Sequence, residues 1–134
     1  MQELKIKTKK KEEIVDITAE IEKIVKKSKV NEGLCIVYVP HATAAVTINE
    51  NADPCVCLDF LEALSDIIPE GKWRHDRIDR NAAAHIKAAL IGPSVSIPIK
   101  NNSLALGTWQ GIMFCEFDGP RERKIFVEIV KNEK

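Results

Sequence analysis

The sequence predicts an α+β domain. Strand-like runs gather at both ends of the chain, segments of helical period fill the middle, and there is none of the regular strand–helix alternation that builds a doubly wound parallel sheet. A length of 134 residues matches one domain with one core. No repeat or flexible linker divides it, so residues 1–134 read as a compact single domain with about three helices. Apolar residues at 45% and charged residues at 30%, with 20 basic against 20 acidic, exclude a disordered or collagen-like chain.

Leu4 and Ile6 alternate with polar residues, the pattern of a half-exposed first strand, and Lys9 to Glu13 reads as a solvated turn. From Thr18, a candidate N-cap, Ile21, Ile24 and Val25 recur at helical spacing as far as Ser28, and Asn31-Glu32-Gly33 supplies the stop. Leu34 to Val39 and Ala44 to Ile48 are β-branched, apolar runs that read as buried strands on either side of Pro40. Asp53 caps a second helix with Pro54 at its first position, and Cys57, Phe60, Leu61, Leu64 and Ile68 mark its packed face. A third helix runs from Asn81 to Leu90 on strong helix formers, capped by Asp79 or Asn81 and closed by Gly92-Pro93. Ser94 to Ile99, Leu104 to Leu106, Ile112 to Phe117 and Lys124 to Val130 then read as strands of an antiparallel meander.

A net charge of zero gives no global attraction for nucleic acid or an anionic membrane, and it weakly favours a defined oligomer. The N-terminal residues lack the apolar stretch of an export signal and no run is long enough to cross a bilayer, so the expected location is cytoplasmic. Cys35, Cys55, Cys57 and Cys115 match no zinc-knuckle spacing and read as reduced thiols, with Cys35 and Cys115 in the core.

Chemistry is expected around the three histidines. His41 ends a buried strand, His75 sits in the polar segment Trp73 to Arg80, and His85 lies on the third helix. Neutral imidazole is the commonest protein ligand for zinc, and three protein ligands leave a position open for water or substrate. Their spacing fits no compact zinc motif, and each alone is more often a hydrogen-bonded structural residue. Glu116 shares the strand face of Ile112 and Phe114 while Met113, Cys115 and Phe117 cover the other. A carboxylate between two apolar faces must be paired with a base or a metal, or else keep its proton with a raised pKa. A structural arginine partner and a functional role stay open as alternatives. Asn49, Glu50 and Asp53 place polar groups just after a buried strand, where capping is the plain explanation. Arg121 and Arg123 suit phosphate oxygens, or a solvated hairpin tip. Trp109 and Gln110 could stack on and hydrogen-bond a flat ring, or pack the core.

Pro40-His41-Ala42-Thr43-Ala44, Ile48 to Asp53, Asn81 to Ile91 with its His85-Ile86-Lys87 centre, and Leu104 to Gly111 running on through Phe114 to Arg123 together resemble the YjbQ-like family, often labelled secondary thiamine-phosphate synthase enzymes. The resemblance spans nearly the whole chain. It implies a small sandwich-like α+β fold, commonly trimeric, with a polar pocket receiving the histidines, and it places His41, His75, His85, Asn49, Glu50, Glu116 and Arg121 in motif segments. The chain departs from the family pattern at His41-Ala42-Thr43, where His-Thr-Thr is usual, and in the turn Asp76 to Arg80.

From this resemblance the expected function is a metal-assisted enzyme with weak or secondary thiamine-phosphate synthase activity. His41, His75 and His85 are the expected ligands of a divalent ion, zinc or similar, with magnesium as an option beside a phosphorylated substrate. Glu116, His85 and Glu50 are the catalytic candidates, and Asn49, Lys87, Trp109, Gln110, Arg121 and Arg123 the substrate-binding ones. The principal synthase of this reaction is a (β/α)₈ barrel of about 250 residues, so this chain is no shortened copy of it. The other class of function is a non-catalytic trimeric protein that binds a small anionic metabolite in the same pocket.

Overall fold

The computed structural model describes residues 1–133, so the predicted domain boundary at Lys134 lies one residue outside them. The described residues form β1 (Gln2–Lys7), β2 (Glu13–Asp16), α1 (Thr18–Ser28), β3 (Glu32–Tyr38), β4 (Ala44–Glu50), α2 (Pro54–Ile67), a 3₁₀ turn (Arg74–Arg77), α3 (Ala82–Ile91), β5 (Ser94–Lys100), β6 (Ser103–Leu104), β7 (Gln110–Glu116) and β8 (Glu122–Lys131). The fold is α+β, as the segregation of strand and helix patterns requires.

Two antiparallel sheets stack. The larger has the order β1-β8-β3-β5-β6 and the smaller β2-β7-β4. Between them lies the main core, in which Cys35 and Val37 of β3, Ile97 and Ile99 of β5 and Ile125 and Val127 of β8 meet Ala44 and Val46 of β4 and Ile112 and Phe114 of β7. Ile21 and Val25 of α1 plug one side of it. The opposite face of the small sheet, carrying Ala45, Cys115 and Phe117, packs on Leu64 and Ile68 at the end of α2 and on Ala83, Ala84 and Ala88 of α3. Strict alternation along β7 produces this division, since Ile112 and Phe114 point to one core and Cys115 to the other.

Local chemistry accounts for the helix ends. Asp53 caps α2 by accepting from the Cys55 N–H at 2.9 Å, with Pro54 at the first position. At α1 the Thr18 hydroxyl does not cap. It donates to Asp16 Oδ1 at 2.6 Å and accepts the Ile112 N–H at 2.8 Å, tying the helix start to β7. The α1 stop is Lys29, in left-handed backbone at φ 58°, ahead of the expected Asn31-Glu32-Gly33.

The predicted C-terminal meander is corrected. β5 and β6 do form a hairpin, but β7 leaves for the small sheet and β8 returns to the large one, between β1 and β3. A meander would have kept Glu116 and Arg123 on one sheet. Here they face each other across two.

Candidate functional site

At the end of β7, Glu116 is fully buried and faces Arg123 of β8, itself buried. Arg123 Nε donates to Glu116 Oε1 at 2.9 Å and its Nη2 reaches Oε2. Thr8 donates its hydroxyl to Oε1 at 2.7 Å and the Asp118 N–H donates to Oε2 at 3.0 Å, while Arg123 also donates to the Thr43 hydroxyl at 2.9 Å. Burial pushes the Glu116 carboxyl up, but the hydrogen bonds from Arg123, Thr8 and the Asp118 N–H, with the guanidinium charge, carry it below its ordinary value. Glu116 is therefore an ionised, fully partnered tie between the sheets. Of the alternatives open for it, the arrangement realised is the arginine pair.

Lys87 of α3 is also buried, and its ammonium donates to Glu12 Oε2 at 2.6 Å and to Ser65 Oγ of α2 at 3.1 Å. Arg123 and Lys87 thus point at protein partners, each inside a closed network. Among the arginine candidates Arg121 is the open one. Its side chain is 50% exposed, and it donates from Nε to the Asp118 carbonyl at 2.8 Å and from Nη2 to Asp118 Oδ2 at 3.1 Å.

Asp118 leads to the histidines. Its Oδ2 accepts from Asn81 Nδ2 at 2.9 Å, which fastens the start of α3 to the turn after β7. One helical turn beyond Asn81, on the same face, is His85. The His85 ring stands edge-on to that of His75 from the 3₁₀ turn, with centroids 4.9 Å apart. His75 Nε2 and Asn81 Oδ1 are both buried and lack a hydrogen-bond partner among the described residues. The nearest acid, Asp79, has Oδ2 at 3.5 Å from His75 Nε2, which is too long for a good hydrogen bond. Buried orphan atoms are rare in folded proteins and mark a place where a ligand would relieve them.

His41 stands apart from this ring pair. Its Nε2 accepts the Lys124 N–H at 2.9 Å, so a neutral ring carries its proton on Nδ1 and presents a donor there. Burial and the nearby Arg123 charge hold its pKa below the ordinary histidine value. The Arg121 charge pushes in the same direction. Among the described residues no group of three or more His, Cys, Asp and Glu side chains lies close enough to hold a metal ion. Within one chain the donors fit such an ion only in part: two imidazoles touch, and the third is engaged elsewhere.

Asn49, Glu50, Trp109 and Gln110 lie at the other end of the small sheet. In the β4–β7 register Ala44 faces Glu116 whereas Glu50 faces Gln110, and six strand residues separate the two ends by about 20 Å. Asn49 Oδ1 takes the Glu50 N–H at 2.7 Å, Gln110 Oε1 takes the Gly107 N–H at 2.8 Å, and Trp109 is exposed. One copy of the chain does not bring these four to the histidines. A groove of about 610 Å³ between α1 and β8, lined by Ile24, Lys27 and Val127 among others, holds none of the expected residues.

Asn81 and Asp118 are the site residues that sequence reasoning assigned only to capping and turn formation. Asn81 lies four residues before His85, but nothing in the sequence links it to Asp118, 37 positions away.

The comparisons agree on one family. The model of the family described as "UPF0047 protein YjbQ-like" matches residues 2–132. The UPF0047 protein MJ1081 of Methanocaldococcus jannaschii is 51% identical over 125 residues, which cover 93% of this chain and 90% of that protein. YugU of Bacillus subtilis is 43% identical over 130 residues, covering 95% and 96%. A crystal structure of a YjbQ/UPF0047 family protein from Clostridium acetobutylicum superposes with a TM-score of 0.93 at 48% identity, covering 97% of this chain and 100% of that one. A YbjQ-like protein of unknown function from Sulfolobus solfataricus gives 0.94 at 38%, covering 98% and 96%.

Proposed function

This chain belongs to the YjbQ-like UPF0047 family, and from that premise we propose that it is a small cytoplasmic, metal-assisted enzyme acting on phosphorylated heteroaromatic molecules, with thiamine-phosphate synthase as the transferase reaction to assay. The observation that carries the reading is the His75–His85 ring pair with its buried, unpartnered Nε2, set within one helical turn and two hydrogen bonds of the exposed Arg121. Among the described residues no helix is long and apolar enough to cross a membrane.

A divalent ion bound at His75 and His85 would supply Lewis acidity toward a phosphoryl oxygen. Arg121, exposed and held at its base by Asp118, offers its outer guanidinium edge to a phosphate. His41, neutral and with its proton on Nδ1, donates a hydrogen bond to an anionic oxygen rather than accepting a proton through Nε2. Neither Gly-rich phosphate cradle nor Asp-rich magnesium motif is found in the sequence, so the cationic groups available suit a monophosphate better than a diphosphate. Thiamine-phosphate synthesis, which expels pyrophosphate, is on this reading weak and secondary.

The test is steady-state turnover of the two thiamine precursors by metal-replete protein. The expected kcat/KM lies well below about 10⁴ M⁻¹s⁻¹, and His85→Ala removes it. A value at or above that range would overturn the secondary character of the reaction. Saturable binding without product would favour the second reading, a binding protein for an anionic metabolite. The closed network around Glu116 supports that reading, because it engages an expected catalytic carboxylate in a structural pair.

A further inference from the structure

Asn81 occupies the N-cap position of α3 yet makes no capping bond. Asp76 has taken that task, its Oδ1 accepting the Ala82 N–H at 3.1 Å. The Asn81 amide is thereby free to serve another purpose, and its orientation is determined by its neighbours. Asp118 is a carboxylate that only accepts, so the Asn81 Nδ2 must face it, and the two Arg121 bonds hold Asp118 in place. The amide oxygen is then turned away from Asp118, where it is buried and without a donor.

Two buried atoms at this site, Asn81 Oδ1 and His75 Nε2, lack partners, and both can offer a lone pair. His85, edge-on to His75 and one turn along α3 from Asn81, adds a second imidazole from the same face. Two imidazoles and a carbonyl oxygen form a mixed nitrogen and oxygen set that suits a first-row divalent ion, and three protein ligands leave a position open for substrate. A hydrogen-bond donor could relieve Asn81 alone; a single cation within reach of both would relieve the two orphans together.

We infer that Asn81 Oδ1 is the third protein ligand of a divalent cation held by His75 and His85, oriented for that role by Asp118 and Arg121. The inference rests on the proposed function for the two histidines and adds the residue that completes their set. It also gives Asp118 a positioning part, since it touches the ligand and not the ion.

Metal-free full-length protein titrated with Co²⁺, followed by its visible d–d absorption and by calorimetry, tests this without any turnover assay. Wild type is expected to take one Co²⁺ per chain, and His75→Ala or His85→Ala to abolish binding. Asp118→Ala should weaken it by about 10–100-fold, the range seen when ligand-supporting groups are removed, and Asn81→Ala, which removes a ligand itself, by at least as much. Asn81→Asp restores an oxygen ligand and should bind more tightly than Asn81→Ala, which guards against a general loss of folding in the alanine variant. If both histidine variants abolish binding while Asn81→Ala and Asp118→Ala stay within twofold of wild type, the Asn81 assignment is overturned and the histidine reading stands. If wild type takes up no Co²⁺, both fall together.

Discussion

Each charged side chain that the fold buries is answered by a specific partner, and the Glu116–Arg123 pair shows what that demands. Glu116 accepts from Arg123, Thr8 and the Asp118 N–H, so a carboxylate at the join of two sheets keeps its charge. Gly119 allows this crowding: a Cβ there would run into the Lys10 carbonyl and stand 2.8 Å from Glu116 Cγ and 2.9 Å from Thr8 Oγ1. Removing one partner of such a pair strands the other charge in the core, so Glu116→Gln or Arg123→Met should lower unfolding free energy by about 3–5 kcal/mol at neutral pH. The pH dependence follows from the depressed Glu116 pKa. Its stabilisation is complete above the ordinary glutamate value of 4.5 and is lost as pH falls through the lower folded value. Urea unfolding across this range should therefore show wild type and Glu116→Gln converging below pH 4.5. A gap that stays constant down to the acid limit would contradict the assignment of that titration to Glu116.

At the scale of elements, α3 is pinned by Lys87, which reaches Glu12 in the loop between β1 and β2 and Ser65 on α2. The two partners are buried unequally, with the Lys87 side chain at 2% exposure and that of Glu12 at 25%. Losing Glu12 leaves a buried ammonium with a lone hydroxyl partner, whereas losing Lys87 leaves a carboxylate that can turn to water. Glu12→Gln should then cost several kcal/mol, roughly 3, and Lys87→Met about 1. Equal losses in thermal or urea melts would show that Glu12 is not the compensating charge. The same elements show what a sequence can carry. The period of α1, the cap of α2 and the alternation that placed Glu116 opposite Cys115 are local patterns, and each was legible. β2 was missed because it is only four residues long and follows the lysine run: the turn took in Glu13, and Ile14 to Asp16 alone are too short to show a strand pattern. The meander was misread because strand identity is local while the choice of sheet is not: β7 pairs with β2 and β4, which lie far from it in sequence. In the site, the histidines were visible as residue types, but the Asn81–Asp118 contact one helical turn from His85 spans two elements and left no local signal.

For the whole molecule, we propose assembly as a trimer, the state that the family resemblance implies, and two features of the single copy support it. The outer face of the helix layer carries large uncovered apolar side chains among its carboxylates, with Leu58 and Ile67 of α2 at 64% and 70% exposure and Leu90 of α3 at 63%. Net charge is zero, so no self-repulsion keeps copies apart. The second feature is the separation of about 20 Å along the small sheet between the histidine end and the end carrying Asn49, Glu50, Trp109 and Gln110. If those four residues serve the same reaction, they must reach the histidines from a neighbouring subunit. Light scattering on wild type should then give three times 15.0 kDa, while Leu58→Lys combined with Ile67→Lys should shift the population to single chains. The two ends can be tested together by mixing. His85→Ala and Glu50→Ala are each expected to be inactive alone, but subunits exchanged between them would include a junction with both residues intact, and activity would return in part. A stable wild-type species of 15.0 kDa at dilute concentration would remove the trimer, and a mixture as inactive as its components would separate the far end of the sheet from the chemistry of the histidines.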